Sequence, residues 1–259
     1  MDTSRPGRIW GLVATQAAIR GGQVSAADAC AAAVDTVEVT GAWLSAASGA
    51  EAGHLMLVTD DTSEQIAELQ LTLGEGPSLD AAASGGPVLA SDLADGEYGR
   101  RWPAFAPAVV AAGVAAIFAF PLRIGAIRAG TLGLYRNEPG SLSTFQLGDA
   151  LTFADTVTML LLDGHSQATA AAGGAGAFGA FGAFGAGPGG QSLELALNRA
   201  GIDQATGMLT EQLGVGITEA FARLRAYAYV HDLRLNDVAR DIVARRLRLR
   251  PDHGPVQGR

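Results

Sequence analysis

The chain has 259 residues, of which 48% are apolar and 17% charged, with a formal net charge of -8. That is long enough for one large domain or two smaller ones, and apolar enough for a buried core, which excludes a disordered polyelectrolyte. All 18 basic residues are Arg, which reflects biased composition as much as arginine chemistry, and the lone cysteine, Cys30, excludes an internal disulfide or a thiolate metal cluster.

Residues 7–39 are Ala-rich, and Val24, Ala27, Ala31 and Val34 recur at helical spacing, so a helix is expected that packs on the first domain or on a partner copy. Cys30 falls within it as a small buried residue. Residues 42–47 and 54–59 predict two strands of a hairpin, with Gly49 and Gly53 bracketing the connection. Residues 60–63 can cap a short helix ending near Leu71. Gly74-Glu75-Gly76-Pro77 reads as a turn, because it lacks the lysine and hydroxyl of a phosphate-cradling loop. A second short helix then runs through Ala83, followed by a strand at 88–90 and a helix at 103–111 with proline in its first turn. Residues 114–122 and 131–135 are the clearest central strands. A long helix at 145–162 carries the stripe Leu151, Ala154, Val157 and Leu161.

Residues 164–190 contain Gly-Ala-Phe three times in succession. Glycine at every third position is unfavourable in a helix, so a flexible linker is expected. Three helices follow, at 192–213, 218–230 and 236–248. Ile202, Ala205 and Leu209 face inward from the first; Phe221, Leu224 and Ala228 from the second, with Thr218 as its N-cap; Val238, Ala239 and Ile242 from the third. Small residues at Ala205, Ala220 and Ala239 would let these helices approach closely. The expected division is a domain at 1–163, a linker at 164–190, a helical module at 191–250 and a disordered tail at 251–259.

The chemistry-bearing residues point away from catalysis. His54, His165, His231 and His253 are scattered, Ser91-Asp92 and Asp60-Asp61 read as turn and cap residues, and no nucleophile–base or metal-ligand set is visible. No enzyme activity, metal or cofactor is expected. The N-terminus lacks a signal peptide's layout, and the longest apolar stretch, 105–122, is broken by Pro107, Gly113 and Pro121. A cytoplasmic location with no membrane partner is therefore expected. Residues 1–190 hold 8 Arg against 18 acids, whereas residues 191–259 hold 10 Arg against 8 acids. Such asymmetry suits a regulatory body joined to a nucleic-acid-binding tail.

Three passages carry a family resemblance in the tail: Ile202 through Leu209, Glu219 through Arg225 with Ala228, and Leu235 with Val238 and Ala239. In order and spacing, residues 199–245 resemble the ANTAR family of RNA-binding output modules. Residues 24–163 resemble a GAF domain, through the stretches 69–77, 87–93, 102–105 and 120–123. The combination resembles transcription antitermination regulators of actinobacterial type. It implies an α/β GAF-like domain, an antiparallel sheet flanked by helices with a possible small-molecule pocket, followed by a small all-α three-helix module. It also implies that the module binds hairpin RNA in nascent transcripts and so keeps a terminator from forming. Two features depart from the pattern. Thr206 stands where the family usually has a lysine, and the Gly-rich linker points to coupling by effective concentration rather than by a rigid lever.

On that resemblance the candidate RNA-binding residues are Arg225, Arg223, Arg245, Arg246, Tyr227 and Tyr229. Arginine pairs with phosphate or stacks on unstacked bases, and tyrosine stacks on bases splayed from a loop. Each has an ordinary alternative: an ion pair within the module, a favourable charge at a helix end, or cover for a bundle edge or dimer seam. A homodimer is expected, and the GAF-like domain would receive a small ligand or an upstream signalling protein. The competing reading is a ligand-responsive protein-interaction or dimerisation module without direct RNA binding.

Overall fold

A computed structural model of the protein describes residues 4–46, 55–125, 127–171 and 190–249. By internal contacts the chain divides into two units, Met1–Ala196 and Leu197–Arg259. The Gly-Ala-Phe triplets of the expected linker, the tail from 251 onward, and His54, Gly49 and Gly53 lie outside the described residues.

The first unit opens with helices α1 (Arg5–Arg20) and α2 (Ala26–Val37). The single helix expected over 7–39 is thus two, because Gly21 takes a left-handed φ of 78° and closes the first. Ser4 caps α1 with Pro6 in its first turn, and a Ser25–Asp28 capping box restarts the chain as α2. Arg20 grips Asp28 at 2.7 Å and so holds the break shut.

Next come strands β1 (Gly41–Ala46) and β2 (Leu55–Val58), helices α3 (Asp61–Leu73) and α4 (Pro77–Ser84), and strand β3 (Val88–Ala90). Helices α5 (Gly96–Arg101) and α6 (Phe105–Ala111), strands β4 (Ala116–Ile124) and β5 (Ile127–Arg136), and helix α7 (Thr144–Ala171) complete the unit. The five strands form one sheet in the order β2-β1-β5-β4-β3, with every pairing antiparallel.

The sheet is buried on both faces, and the period-two alternation of side chains assigns each residue to one of them. Ala42, Leu44, Phe118, Phe120, Leu132 and Leu134 pack with α1, α2 and α7. Trp43, Ile117, Ala119 and Tyr135 pack with α3, α4 and α6. An α/β unit with helices covering an antiparallel sheet is the architecture that the GAF resemblance implied.

Several local expectations need correction. Leu151 is 41% exposed, and Ala150 and Phe153 take its place in the core beside Ala154, Val157 and Leu161. Helix α5 has no buried residue and hence no apolar period to betray it. Strands β4 and β5 extend past the expected ends into a hairpin whose tip is exposed. The Gly74–Pro77 turn does more than reverse the chain. Its Glu75 Oε1 accepts hydrogen bonds from the amides of Ala104 and Phe105, both at 2.7 Å, and so caps α6 from 29 residues away.

Helix α8 (Gly190–Leu213) enters the second unit at Leu197 and is followed there by α9 (Ile217–Val230) and α10 (Leu235–Val243). The residues expected inside the module are all buried, among them Ile202, Leu209, Phe221, Leu224, Val238 and Ile242, as is Leu235. The close-approach alanines 205, 220 and 239 are at most 1% exposed. Two boundaries differ from expectation. Gly216, not Thr218, is the N-cap of α9. Helix α10 stops at Val243, because Arg245 turns left-handed (φ 59°) and the Arg246 and Leu247 amides fold back to the Asp241 carbonyl.

Candidate nucleic-acid interface

The six predicted contact residues fall into three places. On α9, side chains four apart share a face. Arg223 and Tyr227 therefore form one stripe, and Arg225 and Tyr229 another. Arg223 is held by Glu219 one turn earlier, at 2.8 Å. Tyr227 lies against His231 with ring centroids 4.1 Å apart. The guanidinium of Arg225 sits 5.8 Å from the centre of the Phe221 ring, within cation–π range. Tyr229 is 59% exposed, and it adjoins exposed Val230 and Leu233 at the end of the helix.

Arg245 and Arg246 lie just beyond the end of α10 at Val243 rather than on the helix. Arg246 is paired with Asp241 at 2.6 Å. Arg245 instead borders an open groove of about 650 Å³ between α8 and the segment after α10. The partly exposed Met208 and Leu247 give the groove apolar lining, and Gly207, the almost fully buried Ile242 and Arg248 line it with them.

The charges around this groove are distributed unevenly. In the second unit Arg199, Arg223, Arg240 and Arg246 each have a carboxylate within 4 Å. Among the described residues Arg245 and Arg248 have none, and both line the groove. Sequence reasoning reached Arg245 but missed Gln204, Met208 and the opening over Gly207. In sequence these look like the polar side of an ordinary surface helix, and only the returning chain after α10 turns them into a wall.

The departure at Thr206 also has a structural counterpart. Thr206 is 5% exposed, and its hydroxyl donates to the Ile202 carbonyl at 2.8 Å, one turn back in α8. The position is therefore internal in this chain, and the threonine satisfies its own polar group within the helix.

In the first unit, polar groups gather on the α3–α4 side of the sheet. Gln70 Oε1 accepts from the Ser78 amide at 2.7 Å. Gln70 Nε2, Ser78 Oγ and Trp43 Nε1 are buried without a hydrogen-bond partner among the described residues. On the same side Asp60 accepts from the Ser63 amide and hydroxyl, the Thr59 hydroxyl and the Tyr135 hydroxyl. Burial works to raise the Asp60 carboxyl, but these hydrogen bonds outweigh it and hold the group below its ordinary value. Among the described residues no group of His, Cys, Asp and Glu is arranged to hold a metal ion, and no helix is long and apolar enough to cross a membrane.

Residues 193–243 match the family model of the ANTAR domain. A search of curated proteins finds no match to the chain. Among solved structures it is similar to the GAF domain of a phosphoenolpyruvate-protein phosphotransferase from Coxiella burnetii, at 13% identity and a TM-score of 0.47, covering 63% of this chain and 98% of that one. The corresponding GAF domain from Acinetobacter is similar at 12% identity and a TM-score of 0.46, covering 62% and 96%. The GAF-B domain of DevS from Mycobacterium smegmatis is similar at 18% identity and a TM-score of 0.40, covering 54% and 91%.

Proposed function

We propose that this protein, with an ANTAR domain at residues 193–243, is a transcription antitermination regulator that binds hairpins in nascent RNA through that domain. The ANTAR match is the observation that carries the reading. The local arginine excess and the two groove-lining arginines without acidic partners among the described residues support it, because phosphate neutralisation supplies most of the salt-sensitive affinity for nucleic acid. Arg225 and Tyr229 on one stripe of α9 are assigned as contacts, together with Arg245 beyond α10. Arg223, Arg225, Arg246 and Tyr227 have partners in Glu219, Phe221, Asp241 and His231 respectively, and they would contribute by exchanging those partners for RNA.

The GAF-like unit is assigned the sensing role, and the protein acts as a regulator rather than an enzyme. The buried polar groups of Trp43, Gln70 and Ser78 mark the face where a small ligand would change hydrogen bonding. The domain limits are proposed at 1–163 and 191–250, with 164–190 between them as a linker into which α7 runs as far as Ala171.

The test is binding of the full chain to a pool of RNA hairpins and to scrambled single strands at one stated salt concentration. Preference for hairpins is expected, and equal affinity for both would overturn the reading. A second reading has its own observation. Tyr229, Val230 and Leu233 leave an apolar patch exposed at the end of α9, which suits dimerisation. Light scattering across concentrations tests it, with a dimer mass expected and a constant monomer mass against it.

A further inference from the structure

We propose that the groove between α8 and the segment after α10 seats one unpaired nucleotide of the bound RNA, its base over Gly207 and its phosphate on Arg245 and Arg248. This inference rests on the RNA-binding reading and specifies where in the module a loop base is taken up.

Three observations converge on that occupant. The groove, about 650 Å³, falls within the roughly 300–1,000 Å³ of sites that hold small-molecule-sized groups. Its chemistry is divided as a nucleotide is divided. Met208 and Leu247, both partly exposed, supply apolar lining for a flat ring, and Arg245 and Arg248 supply positive charge for a phosphate. Gln204 and Glu211 on α8 bring an amide and a carboxylate to the same groove, suited to the donors and acceptors on a base edge. A wholly apolar partner segment would take the exposed Gln204 and Glu211 out of water without pairing them, and a bare anion would leave the apolar lining unused.

Gly207 is the third observation. Glycine is unfavourable inside a helix, yet it stands in the middle of α8. A Cβ at residue 207 would meet no atom within 4 Å, as at Gly201 of the same helix, so packing within the protein requires neither glycine. At Gly207, unlike at Gly201, that open space belongs to the groove, and a planar group can approach the helix backbone there.

The test uses the full chain and a pool of RNA hairpins with randomised loops, from which the best-retained hairpin is taken forward. Each loop position is then replaced in turn by an abasic residue. With wild-type protein, one abasic position is expected to weaken binding tenfold or more. In Gly207→Leu the intact hairpin should bind about tenfold more weakly, and that abasic position should cost less than twofold further, because the seat is already filled. Circular dichroism and the melting temperature establish that the variant folds. The exposed pair Arg245→Ala and Arg248→Ala gives a second route, expected to lower the salt slope of binding by about 2.

If wild-type protein retains no hairpin above scrambled strands, the RNA reading and this inference fall together. If a hairpin binds, but Gly207→Leu and the arginine variants bind it as wild type does, the groove assignment alone is overturned. It is likewise overturned if those variants change the protein's mass in light scattering and leave RNA affinity untouched, since the groove would then seat a second copy.

Discussion

Trp43 on β1 lies directly against the backbone of Gly133 on β5. The two residues are register partners, and a Cβ on residue 133 would stand 2.1 Å from two ring atoms of Trp43. The indole is fully buried between the sheet and its helices, so it has nowhere to move. Gly133→Ala should therefore destabilise the first unit by about 1–3 kcal/mol through overpacking. The measurement is urea unfolding, where a lower midpoint with an unchanged slope is expected. An unaltered midpoint would show that Trp43 can be accommodated elsewhere.

Acid stability follows from two carboxylates. Burial works to raise Asp28, but hydrogen bonds from Arg20 and Ser25 overcome it and leave the group lowered, as the network around Asp60 does there. A carboxyl whose folded value lies below its unfolded value stabilises the protein above the unfolded value of about 4. That contribution is lost as pH falls from there through the folded value. Unfolding at pH 6, 4 and 3 should show stability declining below about pH 4. Asp60→Asn should flatten part of that decline, and an identical pH dependence in the variant would remove Asp60 from the account.

Cys30 is fully buried in α2, and burial pushes its thiol up to about 12. Thiolate is the reactive form, so the folded protein should resist a disulfide reagent at pH 8 and react with one equivalent once unfolded in urea. Prompt labelling without denaturant would mean that α2 opens locally.

Arg225 and Arg223 lie on different stripes of α9 and can be tested separately in RNA binding. Arg225→Ala removes a proposed contact, so it should weaken hairpin affinity and lower the salt slope by about 1. Arg223→Ala breaks an exposed pair with Glu219 that contributes only about 0.3–0.5 kcal/mol to the helix. Its thermal stability should barely change, so a loss of RNA affinity in this variant would report a lost contact rather than unfolding. Unchanged affinity in either folded variant would remove that residue from the interface.

Much of the architecture could be read from local pattern. Ile202, Ala205 and Leu209, or Leu224 and Ala228, are spaced by the helical period itself, and a period is a property of neighbouring residues. The same logic located Asp60 as a cap and the strand around Phe118. It failed for α5, whose residues 96–101 bury nothing, and for Leu151, where an apolar residue happened to fall on the solvent side. It also ran α10 to residue 248, because nothing local announces that Arg245 will turn left-handed.

What the amino-acid order determined by itself was the succession of an α/β body and a helical tail, the inward faces of the tail's helices, and its surplus of arginine. Tertiary structure alone decided which arginines keep acidic partners, why residue 133 must be glycine, and that Gly207 opens onto a groove. Those relationships join residues far apart in the chain, such as Met208 with Leu247 or Trp43 with Gly133. Strand register and the return of the chain after α10 bring them together, and neither is encoded in the spacing of near neighbours.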